Sequence, residues 1–432
     1  MFLAMYFVVL TLVAVLLAIR AARLRARQHR SFRIYAAAFG IVFGYLLAEF
    51  AVTTYFGLSW AGTSMWFFDE SGKTMHFDPI RGYVLTKQPS RWGRITNGTF
   101  EYVAWLKGNS QGFPSRTDFS PARPDSSIRR IAVLGSSYSA GDYLDTSWPD
   151  RAQALAEAGG EQLQLLNFSL DGLGLANWWS ILTRLVAPQN YELDGVVFVV
   201  SPHDLDRKFV AVEHRDGRPR MWICQDWDPR TYPATLEQTK SCPDVAKDAF
   251  IVSDSEFEQA LNKKWPPSVP RSELRPVLGK QIYEHLDRWS DSIQEALWKG
   301  PGFDPEQAHL IEDVRLFLSS RKLPAVVVFL PFRDRLVNST WESDPYRAET
   351  QAFAKQIGAR FVDASGAFAN MKPADVRKCF FSYDLHWNQA GSDRFAEFML
   401  DLIPRAFPNQ LQASGRRTAD GPRQAGRQPG RF

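Results

Sequence analysis

The chain has 432 residues, of which 45% are hydrophobic, 13% aromatic and 23% charged, and it carries a formal charge of +4. That length and composition exclude a disordered, collagen-like or small disulfide-framework protein and allow more than one structural unit. Six arginines and no acid lie between residues 20 and 33, and five arginines with one acid lie in 411–432, which leaves residues 34–410 at −6. A mildly acidic body argues against nucleic acid as a partner.

In chain order, residues 1–19 hold no charge and are long enough to cross most of a bilayer's hydrocarbon core. The basic residues follow this stretch, whereas a cleaved signal peptide needs them in front. A second apolar run, 34–58, contains Glu49 as its one charge. The loop 20–33 between them carries Arg20, Arg23, Arg25, Arg27, Arg30 and Arg33, which favour the cytoplasmic side. The reading is a two-helix transmembrane hairpin, residues 1–58, with all later residues extracytoplasmic. Glu49 is either functional or a carboxylate near a helix end or paired with a hairpin arginine. Gly40 and Gly44 form a GxxxG, a weak signal for close helix packing.

Residues 59–127 read as an irregular, strand-poor lead-in packed on the following domain, which spans 128–407. Short apolar runs at 130–135, 162–168, 195–200, 324–330 and 359–362 alternate with predicted helices at 149–158, 174–187, 305–321, 346–357 and 389–404. Such alternation predicts a parallel sheet with helices on both faces, and chemistry at the carboxyl ends of its strands. Residues 205–304 break the rhythm and read as an insertion over one rim, with a helix near 272–298. The tail 408–432 is basic, poor in apolar residues and predicted to be disordered.

Four polar blocks follow the predicted strands. The first is Gly135-Ser136-Ser137-Tyr138, a serine at a tight strand-to-helix turn. The second contains Asn167, Asp171, Gly172 and Gly174; the third is Ser201-Pro202-His203-Asp204. The fourth, Asp384-Leu385-His386-Trp387, offers a general base with an orienting carboxylate. Each alone is more often an ordinary turn. Their order resembles the SGNH (GDSL-type) hydrolases over roughly 128–405, and Asp78-Pro79, Gly82-Tyr83, Asn109 and Gly112-Phe113 upstream also look like members of that group. The resemblance implies a flavodoxin-like three-layer α/β/α fold and ester hydrolysis or acyl transfer through an acyl-serine. Carried over by position, it implies Ser137 as nucleophile, Asp384 and His386 as its acid–base pair, and Gly172 as an oxyanion donor.

Two positions depart from the family pattern. Gly-Asp-Ser is here Gly-Ser-Ser, and His203 stands where the family places an oxyanion-hole asparagine. The Asp-Leu-His-Trp spelling looks like the periplasmic branch that O-acetylates exopolysaccharide. The expected protein is therefore anchored in a bacterial inner membrane, faces the periplasm, and is an esterase or O-acetyltransferase acting on acylated cell-envelope carbohydrate. The alternative, suggested by His203, Ser136, the insertion and the second span, is a silent accessory subunit of a membrane complex.

The mechanism requires no cofactor or metal. His203, Asp204 and Asp206 lack a companion His or Cys cluster with ligand spacing. Cys224 and Cys242 are disulfide candidates in an oxidising compartment, which leaves Cys379 as a buried inert thiol. Trp178, Trp179 and Trp387 suit either sugar stacking or core packing. The sequons at Asn97 and Asn338 matter only in a glycosylating host.

Overall fold

The computed structural model describes residues 2–60, 65–69, 75–96, 99–207, 209–215, 218–224, 249–263, 302–382 and 384–408. Cys242, Asn97, the helix expected near 272–298 and the tail from 409 lie outside the described residues, as does the side chain of Cys224.

Two antiparallel-running helices open the chain, α1 (Phe2–Ala26) and α2 (Phe32–Trp60), and both are long and apolar enough to cross a membrane. The first extends beyond the expected residue 19, because Ala, Arg and Leu are strong helix formers and nothing in 20–26 breaks the helix. Arg20, Arg23 and Arg25 thus sit on its last turns, and the guanidinium of Arg20 lies over the Tyr35 ring. Glu49 is not at a helix end. It is buried on α2 and accepts a hydrogen bond from Tyr45 one turn earlier, at 3.2 Å.

The lead-in is not strand-poor. It forms β1 (Met65–Asp69), β2 (Met75–Asp78), β3 (Gly82–Leu85), β4 (Ser90–Thr96) and β5 (Thr99–Leu106). Its apolar residues alternate inward, as Ala104 and Leu106 do on β5 between exposed Val103 and Trp105, a period masked in the sequence by the Gly and Pro between strands.

The main sheet comprises β6 (Arg129–Leu134), β7 (Leu163–Asn167), β8 (Gly195–Val200), β12 (Ala325–Phe329) and β13 (Arg360–Asp363). All neighbours are parallel, in the order β7-β6-β8-β12-β13. This is the flavodoxin-like order, with its reversal of direction beside β6. Every residue of β8 is buried, as expected for a strand covered on both faces. Each such Val or Phe contributes roughly 1.5–3 kcal/mol by leaving water. One helical layer contains α4 (Trp148–Ala158) and α11 (Gln389–Ala406). The other contains α5 (Leu175–Ser180, continued as a π-turn to Val186), α7 (Pro305–Ser320) and α9 (Pro345–Gln356). The short helices α3 (Ser137–Ala140), α8 (Arg333–Val337) and α10 (Pro373–Arg377) lie in connections.

The insertion supplies a hairpin, β9 (Phe209–Arg215) with β10 (Arg218–Cys224), then β11 (Ala249–Val252) and α6 (Asp254–Asn262). Strand β11 pairs in parallel with β1, so lead-in and insertion jointly build an accessory sheet ordered β11-β1-β4-β5. Trp92 and Arg94 share one face of β4, and that face meets the α/β domain beside the polar blocks.

Candidate active site

Strand β6 ends at Leu134 and the chain turns at once into α3, whose first residue is Ser137. No side chain fits at Gly135, where a Cβ would lie 2.5 Å from Ser139 Oγ. The turn is pinned from all sides. Trp178 Nε1 donates to Gly135 O at 3.1 Å, Asn167 Nδ2 to Ser139 O at 2.9 Å, and Trp148 Nε1 to Ser139 Oγ at 3.1 Å. Gly141 closes α3 in the left-handed conformation, φ 68°.

The Asp384–His386 loop is fixed just before α11. Asn388 caps that helix by accepting from the Ala390 and Gly391 N–H groups, and its Nδ2 donates to Lys378 O at 2.8 Å. Phe381 N donates to His386 O at 3.0 Å. Gly391 is needed here because a Cβ would lie 2.3 Å from Cys379 O.

These two loops, 249 residues apart in sequence, bring Ser137 Oγ to 2.6 Å from His386 Nε2. His386 Nδ1 lies 2.5 Å from Asp384 Oδ1, which also accepts the His386 backbone N–H at 3.0 Å. The imidazole is held between the rings of Tyr138 and Tyr143, at centroid distances of 4.8 and 4.7 Å, and Tyr138 Oη donates to Leu385 O. Burial alone would raise Asp384, but the His386 charge, its hydrogen bonds and the Arg94 guanidinium hold the carboxylate well below its usual range. Burial pushes His386 down, and the facing Asp384 carboxylate outweighs it, leaving the imidazole more basic than an ordinary histidine. Its side chain stays 26% exposed, open to a reactant. A serine, a base and an orienting acid in that sequence of contacts can carry nucleophilic acyl chemistry.

The other expected site residues fare differently. Gly172 follows β7 at φ 77°, a conformation that favours glycine, and the neighbouring Asp171 charge is felt at His386. His203 makes its contacts with residues outside the triad. It has φ 72°, its side chain is 54% exposed, and the Tyr346 hydroxyl lies 2.8 Å from its Nδ1, with Asp206 at 3.4 Å. The side-chain partners of His203 are thus Tyr346 and Asp206. Trp178, Trp179 and Trp387 are all buried, with the first two donating to Gly135 O and Asp313, so they pack the core and offer no sugar platform. Cys379 is buried, and burial pushes its thiol up. Among the described residues no group of three or more His, Cys, Asp or Glu is arranged to hold a metal ion.

The departure from Gly-Asp-Ser has a structural counterpart. Asp204, fully buried, accepts from Ser136 Oγ at 3.0 Å, Ser201 N at 2.9 Å and Ser201 Oγ at 2.8 Å, and pairs with Arg207 at 3.1 Å. It ties the first block to the third.

Two residues were missed entirely by the sequence reading. Arg94 on β4 pairs with Asp384 Oδ2, and Glu101 on β5 accepts the Asp384 backbone N–H at 2.8 Å. The sequence gives little sign of them: Arg94 shares Ser90–Thr96 with Arg91, while Glu101 is the one charge among the aromatic residues of Thr99–Leu106. At the end of α3, a cavity of about 670 Å³ is lined by Trp105, Lys107, Asn109, Arg116, Gly141 and Asp145, among others, with Trp105 62% exposed.

No family model matches the chain, and no curated protein matches it in sequence. Solved structures similar to it include a lipase/acylhydrolase from Enterococcus faecalis, 11% identical, with 66% of this chain and 100% of that one covered and a TM-score of 0.33. The psychrotrophic esterase EstA from Pseudoalteromonas sp. is 11% identical, with 65% and 100% covered and a TM-score of 0.31. AlinE4, an SGNH-hydrolase family esterase, is 10% identical, with 67% and 100% covered and a TM-score of 0.28. These similarities are low.

Proposed function

We propose that the protein is a membrane-anchored serine esterase or O-acetyltransferase of the SGNH type, acting on acylated cell-envelope carbohydrate through an acyl-serine intermediate. The observation that carries this is the continuous hydrogen-bonded chain from Ser137 through His386 to Asp384. His386 Nε2 takes the Ser137 proton as Oγ attacks the ester carbonyl. Backbone N–H groups at Ser137 and Gly172 face the developing oxyanion in this reading. Collapse expels the alcohol, which receives its proton from His386, and leaves Ser137 acylated. Water or a sugar hydroxyl, deprotonated by His386, then attacks, giving hydrolysis or transfer.

Support for the location comes from the arginines at the turn between α1 and α2, which favour the cytoplasmic side of an inner membrane and leave the α/β domain in the periplasm. Support for carbohydrate comes from the Asp384-Leu385-His386-Trp387 spelling and from the cavity at Gly141, where exposed Trp105 stands among polar side chains. The test is incubation of the full chain, in mild detergent, with acetylated oligosaccharides, following acetate release and acetyl transfer. Activity lost in Ser137→Ala is expected. No cleavage above the Ser137→Ala background, on glycans or on p-nitrophenyl acetate, contradicts the proposal.

The contacts of His203 with Tyr346 and Asp206 favour a second reading, a silent accessory subunit of a membrane complex in which the third block supplies no side-chain oxyanion donor. Recovery of unreactive protein within a stoichiometric membrane assembly would support that reading.

A further inference from the structure

We propose that Arg94 of the accessory sheet is a positioning residue for the triad, holding the outer oxygen of Asp384 so that the carboxylate is fixed against His386 Nδ1 and its charge is shared between the two cations. The inference rests on the catalytic reading above.

The geometry is specific. Asp384 has two oxygens: Oδ1 serves His386 twice, through Nδ1 and the backbone N–H, and Oδ2 serves Arg94. The side chains of Arg94 and Asp384 are 15% and 4% exposed, so their charges meet with little solvent screening, unlike a surface pair. Arg94 cannot lose its proton at any relevant pH. The same strand also touches the nucleophile side of the site, where Trp92 Nε1 donates to Asp142 O at 2.7 Å. On β5, opposite Arg94 in the register, the Tyr102 ring packs against Tyr143 and Phe381. One sheet face thus reaches both loops that make the triad.

A carboxylate that faces His386 alone would bind its imidazolium more tightly and keep the base protonated to higher pH. Arg94 opposes this. Among the described residues, the charged and titratable groups around the imidazole include Asp384 on its own loop, Arg94 and Glu101 from the accessory sheet, Asp171 after β7, the phenols of Tyr138 and Tyr143, and Arg333, which donates to the Phe381 and Ser382 carbonyls of the same loop. Of these, Arg94 is the permanent cation that meets the Asp384 carboxylate directly.

The test is the rate of covalent inactivation of the full chain in detergent by a fluorophosphonate, measured between about pH 5.5 and 9. Wild type should react faster as His386 loses its proton. Arg94→Met should move that limb upward by about 0.5–1 pH unit and slow the plateau. Arg94→Lys, which keeps the charge, should return the limb toward wild type. Glu101→Gln leaves the arginine less balanced and should move the limb the other way, by less. Opposite shifts in the two variants cannot come from a common loss of folding, and Glu101→Gln serves if Arg94→Met does not fold. Folded variants whose limbs coincide with wild type overturn the inference and leave the catalytic reading intact. A wild-type protein that takes no label overturns both.

Discussion

Two histidine loops of this molecule use the same residue types and reach opposite outcomes. In one, Asp384 and His386 are two residues apart, Asp384 is nearly fully buried, and its oxygens turn toward His386 and Arg94. In the other, His203 and Asp204 are adjacent, and adjacent side chains diverge. Asp204 turns inward to Ser136, Ser201 and Arg207, while His203 swings out at φ 72° to Tyr346 and Asp206. A histidine beside an aspartate is thus no acid–base pair by itself. The carboxylate must face the ring, and the ring must be packed in place, as Tyr138 and Tyr143 pack on His386.

The comparison breaks most sharply at the triad acid. Asp384→Asn keeps the shape but disrupts the tautomer and stabilisation of His386, and serine reactivity at neutral pH should fall roughly 10³–10⁴-fold. A loss under tenfold in the fluorophosphonate rate would show that Asp384 is not the orienting acid. Asp204→Ala should act on folding instead. It strands Ser136, Ser201 and the Arg207 charge around a buried site, a cost of about 3–5 kcal/mol, visible as a lower denaturation midpoint. An unchanged midpoint would show that Asp204 does not hold the blocks together.

The outer loop should give smaller effects. Burial and the Asp206 charge push Glu349, beside His203, up to about 7. A carboxyl raised in the folded state binds its proton more tightly there than when unfolded, so this contribution to stability is present at low pH and lost as pH rises through about 7. Glu349→Gln should therefore gain stability relative to wild type between pH 5 and 8, by roughly 1 kcal/mol after allowing for its partial exposure. Parallel melting curves across that range would contradict the assignment. Smallest of all, His203→Ala should change fluorophosphonate reactivity by less than about threefold, since its ring contacts lie with Tyr346 and Asp206. A hundredfold loss would restore His203 to the oxyanion hole.

The parallel sheet was legible because buried strands such as Gly195–Val200 are unbroken apolar runs, and the helices between them carry caps such as Asp304 and Asn388. Ser137, Asp384 and His386 were legible because they stand at the ends of those regular elements. The direction of His203 was not, since a positive φ at a non-glycine residue leaves no mark in sequence. Nor was the accessory sheet, whose pairing of β1 with β11 joins residues about 180 apart across the insertion. Arg94 and Glu101 stand on neighbouring strands but meet Asp384 from 290 and 283 residues away, so no local pattern could place them at the triad.

The central claim is that Ser137 is an activated nucleophile. Fluorophosphonate labelling of the full chain in detergent, with peptide mapping by mass spectrometry, tests it most directly. The account predicts one label per chain, located on Ser137 and abolished in both Ser137→Ala and His386→Ala. Folded protein that takes no label, or takes it elsewhere than Ser137, would contradict it.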